Sequence, residues 1–181
     1  NNLRPLFTGA SWAGTIVWPA SVDLASKLMP QLSPSTNNLS TAGNGSGVPG
    51  MAARLMKGRV LLTEQAELLE LLKANIGSNF RSDGSSDNDI HAMRLDWKSE
   101  EDRNEAIAWL GGPADVVLSA DCVYEPLYGN SWQALALLLN ALIDVPTLAL
   151  VSLERRTADG IEKFLARLKK KQYLAASPFT T

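Results

Sequence analysis

Cysteine and histidine are nearly missing: the 181 residues include Cys122 and His91 and no other of either kind. A lone cysteine excludes an internal disulfide and a thiolate zinc cluster. Long apolar runs are missing too, since none reaches the roughly 18 residues of a membrane-spanning helix. No signal-peptide pattern follows Asn1. An excess of charge of one sign is missing as well: 17 Lys and Arg face 19 Asp and Glu for a formal balance of −2, which gives no electrostatic ground for a nucleic-acid partner. These absences predict a cytoplasmic or nuclear location, with neither membrane nor nucleic acid among the partners. Position 1 is not methionine, and the chain is expected to be part of a longer protein.

What is present begins with a hydrophobic content of 45%. That suffices for one core at this length, so 1–181 reads as a single domain, with a lead-in and helix over 1–32 and the core over 33–181. The most informative stretch is 41–64, TAGNGSGVPGMAARLMKGRVLLTE. Gly43, Gly45, Gly47 and Gly50 let the backbone turn tightly and approach a ligand where a β-carbon would collide with it. Pro49 suits the first turn of a helix, whose early N–H groups lack partners and can receive an anion. The apolar run 60–62, ending at Glu64, reads as the next strand with a carboxylate at its tip, able to accept both hydroxyls of a ribose. Two cofactors fit. Gly45 to Gly50 satisfies the dinucleotide pattern G-x-G-x-x-G with an acidic residue about 20 positions on, and Gly43 to Gly47 satisfies the G-x-G-x-G of S-adenosylmethionine enzymes. The glycines alone leave both open.

Periodicity organises the rest. Val22, Ala25, Leu28, Met29 and Leu32 predict a helix from Ser21 that Pro30 ends early. Segment 33–40 should be a buried central strand, yet only Leu39 in it is strongly apolar, so a short and irregular strand is expected. Helices are predicted over 50–57, 67–76, 100–110, 132–143 and 159–171, with Leu68, Leu69, Leu71 and Leu72 turned inward on the second of these. Strands are predicted over 60–63, 91–95, 115–120, 147–151 and 173–176, and a polar loop over 77–89. Alternating strands and helices imply a mostly parallel sheet with helices on both faces, which binds ligands beyond the carboxyl ends of its strands, where the strand order reverses. The glycine turn, Glu64, Asp96-Trp97 and Asp121 to Tyr124 each follow a predicted strand and so share one rim.

On these residues the chain resembles the seven-strand S-adenosylmethionine-dependent methyltransferases, and within them the protein-lysine methyltransferases labelled methyltransferase-like 21 or family 16. The matching motifs are Val17-Trp18-Pro19-Ala20, Gly47-Val48-Pro49-Gly50, Leu62-Thr63-Glu64, Asn75-Ile76, Leu95-Asp96-Trp97 and Ala120-Asp121-Cys122-Val123-Tyr124. The resemblance implies an α/β Rossmann-like fold, incomplete at its C-terminus in this chain. It implies S-adenosylmethionine as cofactor and S-adenosylhomocysteine as product, held by Trp18, Gly43, Asn44, Gly45, Gly47, Glu64, Trp97 and Ala120. Glu64 would take the ribose hydroxyls, Trp97 would lie near the adenine, and Asp121 with Tyr124 would line the mouth where a target amine enters. Thr41 stands where the family usually has an acidic residue. A protein carrying the target lysine is the expected partner and a monomer the expected state. Small-molecule N-methylation on the same fold, or a non-catalytic binding module, are the alternatives.

Methyl transfer from a sulfonium is an in-line displacement, which needs neither metal nor covalent nucleophile but does need alignment and exclusion of water. A lysine amine, with an ordinary pKa of about 10.4, must first lose a proton, which a desolvated aromatic channel promotes by disfavouring the ammonium. Cys122 is expected to be a small buried apolar residue and His91 to sit in or beside a strand without a catalytic role. Lys169-Lys170-Lys171 reads as a solvated helix end, and Glu154-Arg155-Arg156, which follows a strand on the functional rim, as a solvated loop, with contact to an acidic substrate the alternative.

Overall fold

Short strands and amphipathic helices alternate along the chain, the strands being β1 (Asn38–Ala42), β2 (Arg59–Glu64), β3 (Ile90–Arg94), β4 (Val116–Ala120) and β5 (Leu148–Ser152). The helices are α1 (Pro19–Leu28), α2 (Val48–Leu55), α3 (Ala66–Phe80), α4 (Glu100–Leu110), the short α5 (Glu125–Tyr128), α6 (Trp132–Leu142) and α7 (Ile161–Leu168). The computed structural model describes residues 14–28, 38–42, 46–80, 86, 88–143 and 147–168. The expected strand at 173–176, the start of segment 33–40 and the Lys169-Lys170-Lys171 run lie outside the described residues.

The strands pair in the order β3-β2-β1-β4-β5, every pair parallel. The order therefore reverses between β1 and β4, where Leu39, Ser40 and Thr41 lie opposite Val116, Val117 and Leu118. A crevice at such a switch point is where a parallel sheet presents its ligand site. Alternation of side chains sorts the core into two layers. Leu39, Val60, Leu62, Ala92 and Leu118 pack with Leu24 of α1, Ala53 of α2 and Leu72 and Phe80 of α3. Leu61, Met93, Val117 and Ala149 pack on the opposite face with Ala106 and Leu110 of α4, Leu135, Leu138 and Leu142 of α6 and Phe164 of α7. The α/β architecture with helices on both faces is thus present, and five strands of it fall among the described residues.

Local differences from the periodic reading have physical causes. Helix α3 runs through Gly77 to Phe80 instead of stopping at Ile76. Leu68, Leu72 and Phe80 continue one buried stripe at multiples of four residues, and its burial outweighs the roughly 1 kcal/mol cost of a mid-helix glycine. Leu69 and Leu71 are only half-buried. Helix α1 begins two residues early because Pro19 is compatible with a first helical turn, and the expected start at Gly50 for α2 moves back to Val48 for the same reason at Pro49. Strand β1 is central although polar: Leu39 and Ser40 are both fully buried, and a serine is small enough to lie between the sheet and its helices. At the opposite end of the sheet from the rim, the Arg59 guanidinium lies 3.9 Å from the Trp109 ring centroid and donates to the Trp109 and Leu110 carbonyls at 2.6 and 3.2 Å. His91 stacks on the same indole at 5.6 Å.

Gly47 shows why the turn before α2 needs glycine. Its φ is +82°, and a β-carbon there would stand 2.7 Å from Leu72 Cδ1 and 2.8 Å from Leu62 Cδ2. Both leucines are buried in the core, so a shift of either would disturb its packed neighbours. Gly47→Ala is expected to cost about 1–3 kcal/mol of unfolding free energy, read by urea denaturation.

Candidate active site

At the end of β1, Gly43, Asn44 and Gly45 lie outside the described residues, and the described part of the turn is Ser46 and Gly47. Asn75 of α3 donates to the Ser46 carbonyl at 3.1 Å and so ties the turn to the helix behind it. Gly47 caps α2 without a side-chain hydrogen bond, so the first amides of that helix face the end of β1 with no side chain of the cap across them. The Ser46 hydroxyl is buried and has no hydrogen-bond partner among the described residues. An orphaned hydroxyl beside an uncapped helix start fits the carboxylate end of an amino-acid-bearing nucleoside.

At the end of β2, Glu64 is 8% exposed, and its Oε1 accepts from the Gln65 amide at 3.0 Å. At the end of β3, the loop carrying Asp96 and Trp97 is fixed by Asp102, whose side chain is buried in the first turn of α4. Asp102 accepts from Arg94 at 2.5 Å and from the Asp96 amide at 2.8 Å, while its own amide donates to the Ser99 hydroxyl at 3.1 Å. Burial alone would raise the pKa of this carboxyl, but the Asp96 amide, Arg94 and Ser99 outweigh burial and hold it below its ordinary value of 3.8. The charged form is therefore the one the fold favours. Its contribution to stability is complete above the unfolded value and disappears as pH falls through the lower folded one. Asp102→Asn is expected to lower the melting temperature by roughly 2–6 °C at pH 7 and by progressively less as pH falls below the ordinary carboxyl value of 3.8, read by calorimetry. Trp97 itself is half-buried and packs against the core layer of α4 and α6.

Strand β4 ends at Ala120, which is 5% exposed. The next residue, Asp121, takes φ +53°, a left-handed conformation that aspartate tolerates better than most residues. The turn aims its carboxylate at the loop after β5: Arg156 donates from Nη1 to Oδ1 at 3.1 Å and from Nη2 to Oδ2 at 2.5 Å, and the Glu154 amide donates to Oδ1 at 3.3 Å. The same guanidinium lies 5.3 Å from the Trp18 ring centroid and 5.2 Å from that of Tyr124, and pairs with Glu154. Burial disfavours the Arg156 cation, yet Asp121 and Glu154 raise its pKa above the ordinary value all the same. Asp159 holds the loop from the other side, accepting from the amides of Arg156 and Ile161 at 3.0 and 2.9 Å.

Glu64 and Asp121 both lie close enough to Cys122 and Tyr128 to act on them electrostatically. Burial pushes the Cys122 thiol up to about 12, with both carboxylates adding to the effect, and this excludes a thiolate nucleophile at neutral pH. Burial likewise pushes the Tyr128 phenol of α5 up to about 12, with Cys122, Asp121 and Glu64 adding repulsion. Among the described residues no group of histidine, cysteine and carboxylate side chains is placed to hold a metal ion, and no helix is long and apolar enough to cross a membrane.

The structure thus brings Trp18, Asp121 and Tyr124 into one cluster, with Glu64 and Ala120 on the same rim and Gly47 beside it. Trp97 sits on its own loop, anchored by Asp102. The run Glu154-Arg155-Arg156 lies on the rim as expected, but Arg156 is not solvated: its side chain is 22% exposed and paired with Asp121. Two neighbours of the site had no signal in the sequence: Asp102 looks like an ordinary acidic residue of a first helical turn, and Tyr128 belongs to a helix too short for periodicity to reveal.

Comparison with known families matches residues 8–171 to the family described as lysine methyltransferase. Among individual proteins, the chain is 42% identical over 136 residues to secreted RxLR effector protein 48 of Plasmopara viticola, covering 71% of this chain and 69% of that one. It is 25% identical over 113 residues to the protein-lysine N-methyltransferase rrg1 of Schizosaccharomyces pombe, covering 61% of this chain and 37% of that one. It is also 28% identical over 134 residues to a diaminohydroxyphosphoribosylamino-pyrimidine deaminase of the same yeast, covering 69% of this chain and 30% of that one. The chain therefore spans about a third of the length of each yeast relative.

Proposed function

Because the chain belongs to the lysine methyltransferase family, we propose that it moves a methyl group from S-adenosylmethionine to the side-chain amine of a lysine in a protein substrate. The observation that carries this reading is the pair of buried carboxylates, Glu64 and Asp121, on one rim at the switch point. Glu64 suits the ribose of either cofactor, and the match to a lysine methyltransferase family over residues 8–171 supports the methyl donor over a dinucleotide. The 25% identity to a protein named as a protein-lysine N-methyltransferase supports the same choice of acceptor.

When bound, the cofactor supplies an electrophilic methyl on a sulfonium sulfur. The residues of the chain bind and align. Residues 43–47 and the open start of α2 would hold the amino-acid end, Glu64 would accept from the ribose hydroxyls, and the loop of Trp97 would border the base. Trp18, Tyr124 and the Asp121–Arg156 pair form the mouth on the acceptor side, where aromatic faces exclude water and orient the incoming nitrogen. S-adenosylmethionine is made inside cells, and the site of action is proposed as cytoplasmic or nuclear. A thermal-shift comparison tests the cofactor: S-adenosylhomocysteine is expected to raise the melting temperature by several degrees and NAD to leave it unmoved. A shift with NAD alone would overturn the reading.

A further inference from the structure

The side of the site that meets the acceptor already holds a cation of the chain's own. Arg156 engages both oxygens of Asp121 and lies between the rings of Trp18 and Tyr124, at 5.3 and 5.2 Å from their centroids. It comes from the loop after β5 and is pinned there by the carboxylates of Glu154 and Asp159, through its side chain and its amide respectively. Asp121 is 7% exposed. A buried carboxylate without a counter-charge would hold an approaching lysine as ammonium, and an ammonium has no lone pair with which to attack.

We propose that Arg156 is a positioning residue for methyl transfer: by neutralising Asp121 at the mouth, it lets the target amine arrive as the free base. The inference rests on the lysine-methylating reading of the site. The charged or titratable groups facing the amine are Asp121 and Cys122 after β4, Tyr124 and Tyr128 at α5, Glu64 after β2, and Glu154 and Arg156 after β5. Glu154 is largely in water, its side chain 51% exposed. Of the two buried carboxylates in this set, Glu64 is assigned to the ribose of the cofactor, and Asp121, at the mouth, has Arg156 as its counter-charge. The deprotonated nitrogen forms its bond to the methyl carbon as the methyl–sulfur bond breaks and that electron pair stays on sulfur. The resulting methylammonium then releases a proton to water.

The test is the pH profile of methyl transfer. Wild type, Arg156→Lys, Arg156→Gln and Arg156→Met are incubated with methyl-labelled S-adenosylmethionine and a cell lysate from pH 6.5 to 10, and methyl-lysine is quantified. Arg156→Lys keeps the charge and is expected to keep the wild-type midpoint. The two neutral variants, one polar and one matching the packing of the arginine stem, are expected to shift the midpoint upward by about one unit or more. Each shifted unit corresponds to roughly a tenfold loss at pH 7 that is recovered at alkaline pH. n-Butylammonium, used as a competing probe at pH 7, is expected to inhibit both neutral variants several-fold more strongly than wild type. Equal losses at every pH would overturn the proposal and leave Arg156 a structural tie. A rate that rises at every pH would also overturn it, by showing that the guanidinium blocks the acceptor. Loss of S-adenosylhomocysteine binding in both neutral variants would do so too, by assigning Arg156 to the cofactor site. If wild type methylates lysine and the profiles coincide, this inference alone falls; if wild type methylates no lysine at any pH, the proposed function falls with it.

Discussion

Asp121→Ala is expected to lower methyl transfer by at least about 10²-fold while S-adenosylhomocysteine binds within roughly threefold of wild type. The substitution removes both hydrogen bonds to Arg156 and the one from the Glu154 amide. The guanidinium then loses its main anchor between Trp18 and Tyr124, and the loop after β5 loses its tie to β4. An error of about 1 Å in aligning the acceptor suffices for a loss of this size. Alanine is also less tolerant than aspartate of the left-handed conformation at this position. Removing one member of a fully buried ion pair costs about 3–5 kcal/mol, and the cost here should be smaller because the Arg156 side chain is 22% exposed. Asp121→Asn separates the effects, since it keeps the shape and the backbone preference while removing the charge. Both variants should stay folded and bind the product nucleoside in calorimetry. Full activity in either would remove Asp121 from the acceptor side.

Glu64→Ala should act on the other half of the site, weakening S-adenosylhomocysteine binding by roughly 10²-fold or more. Glu64 is held at the tip of β2, where its Oε1 accepts from the Gln65 amide and its backbone carbonyl accepts from Leu95 at 2.9 Å. The carboxylate is thereby preset to accept hydrogen bonds from a diol, each charge-assisted bond being worth about 1.5–3 kcal/mol. Glu64→Gln should fall between wild type and alanine, because an amide oxygen can still accept but carries no charge. The alanine variant should show a matching rise in the cofactor concentration needed for half-maximal rate, with the maximal rate far less affected. Unchanged affinity would place the ribose elsewhere.

The two halves of the site differed in how readily the sequence showed them. Strand β4 was legible because Val116 to Ala120 is a short buried run with a turn on either side, and all five of its residues are buried. Strand β1 was not, since Asn38, Ser40 and Thr41 are polar and the centrality of that strand comes from its pairing with β2 and β4. The end of α3 was misread because a glycine and polar neighbours resemble a loop, whereas the anchoring Phe80 is decided by tertiary packing. Among the candidate site residues, Trp18, Asp121 and Tyr124 carried motif signals. Arg156 carried none, because its partner lies 35 positions away and an isolated charge run looks solvated. Long-range ion pairs of this kind have no local periodicity, and Asp102 with Arg94 repeats the case over eight positions.

The central claim is that lysine side chains of protein are the acceptor. Methyl-labelled S-adenosylmethionine, incubated with the protein and a cell lysate and followed by mass spectrometry of the digested proteins, tests it most directly. Label on the Nζ of one or a few lysines, absent when Asp121→Ala replaces wild type, is the predicted result. Transfer of the label to small molecules with none on protein would contradict it.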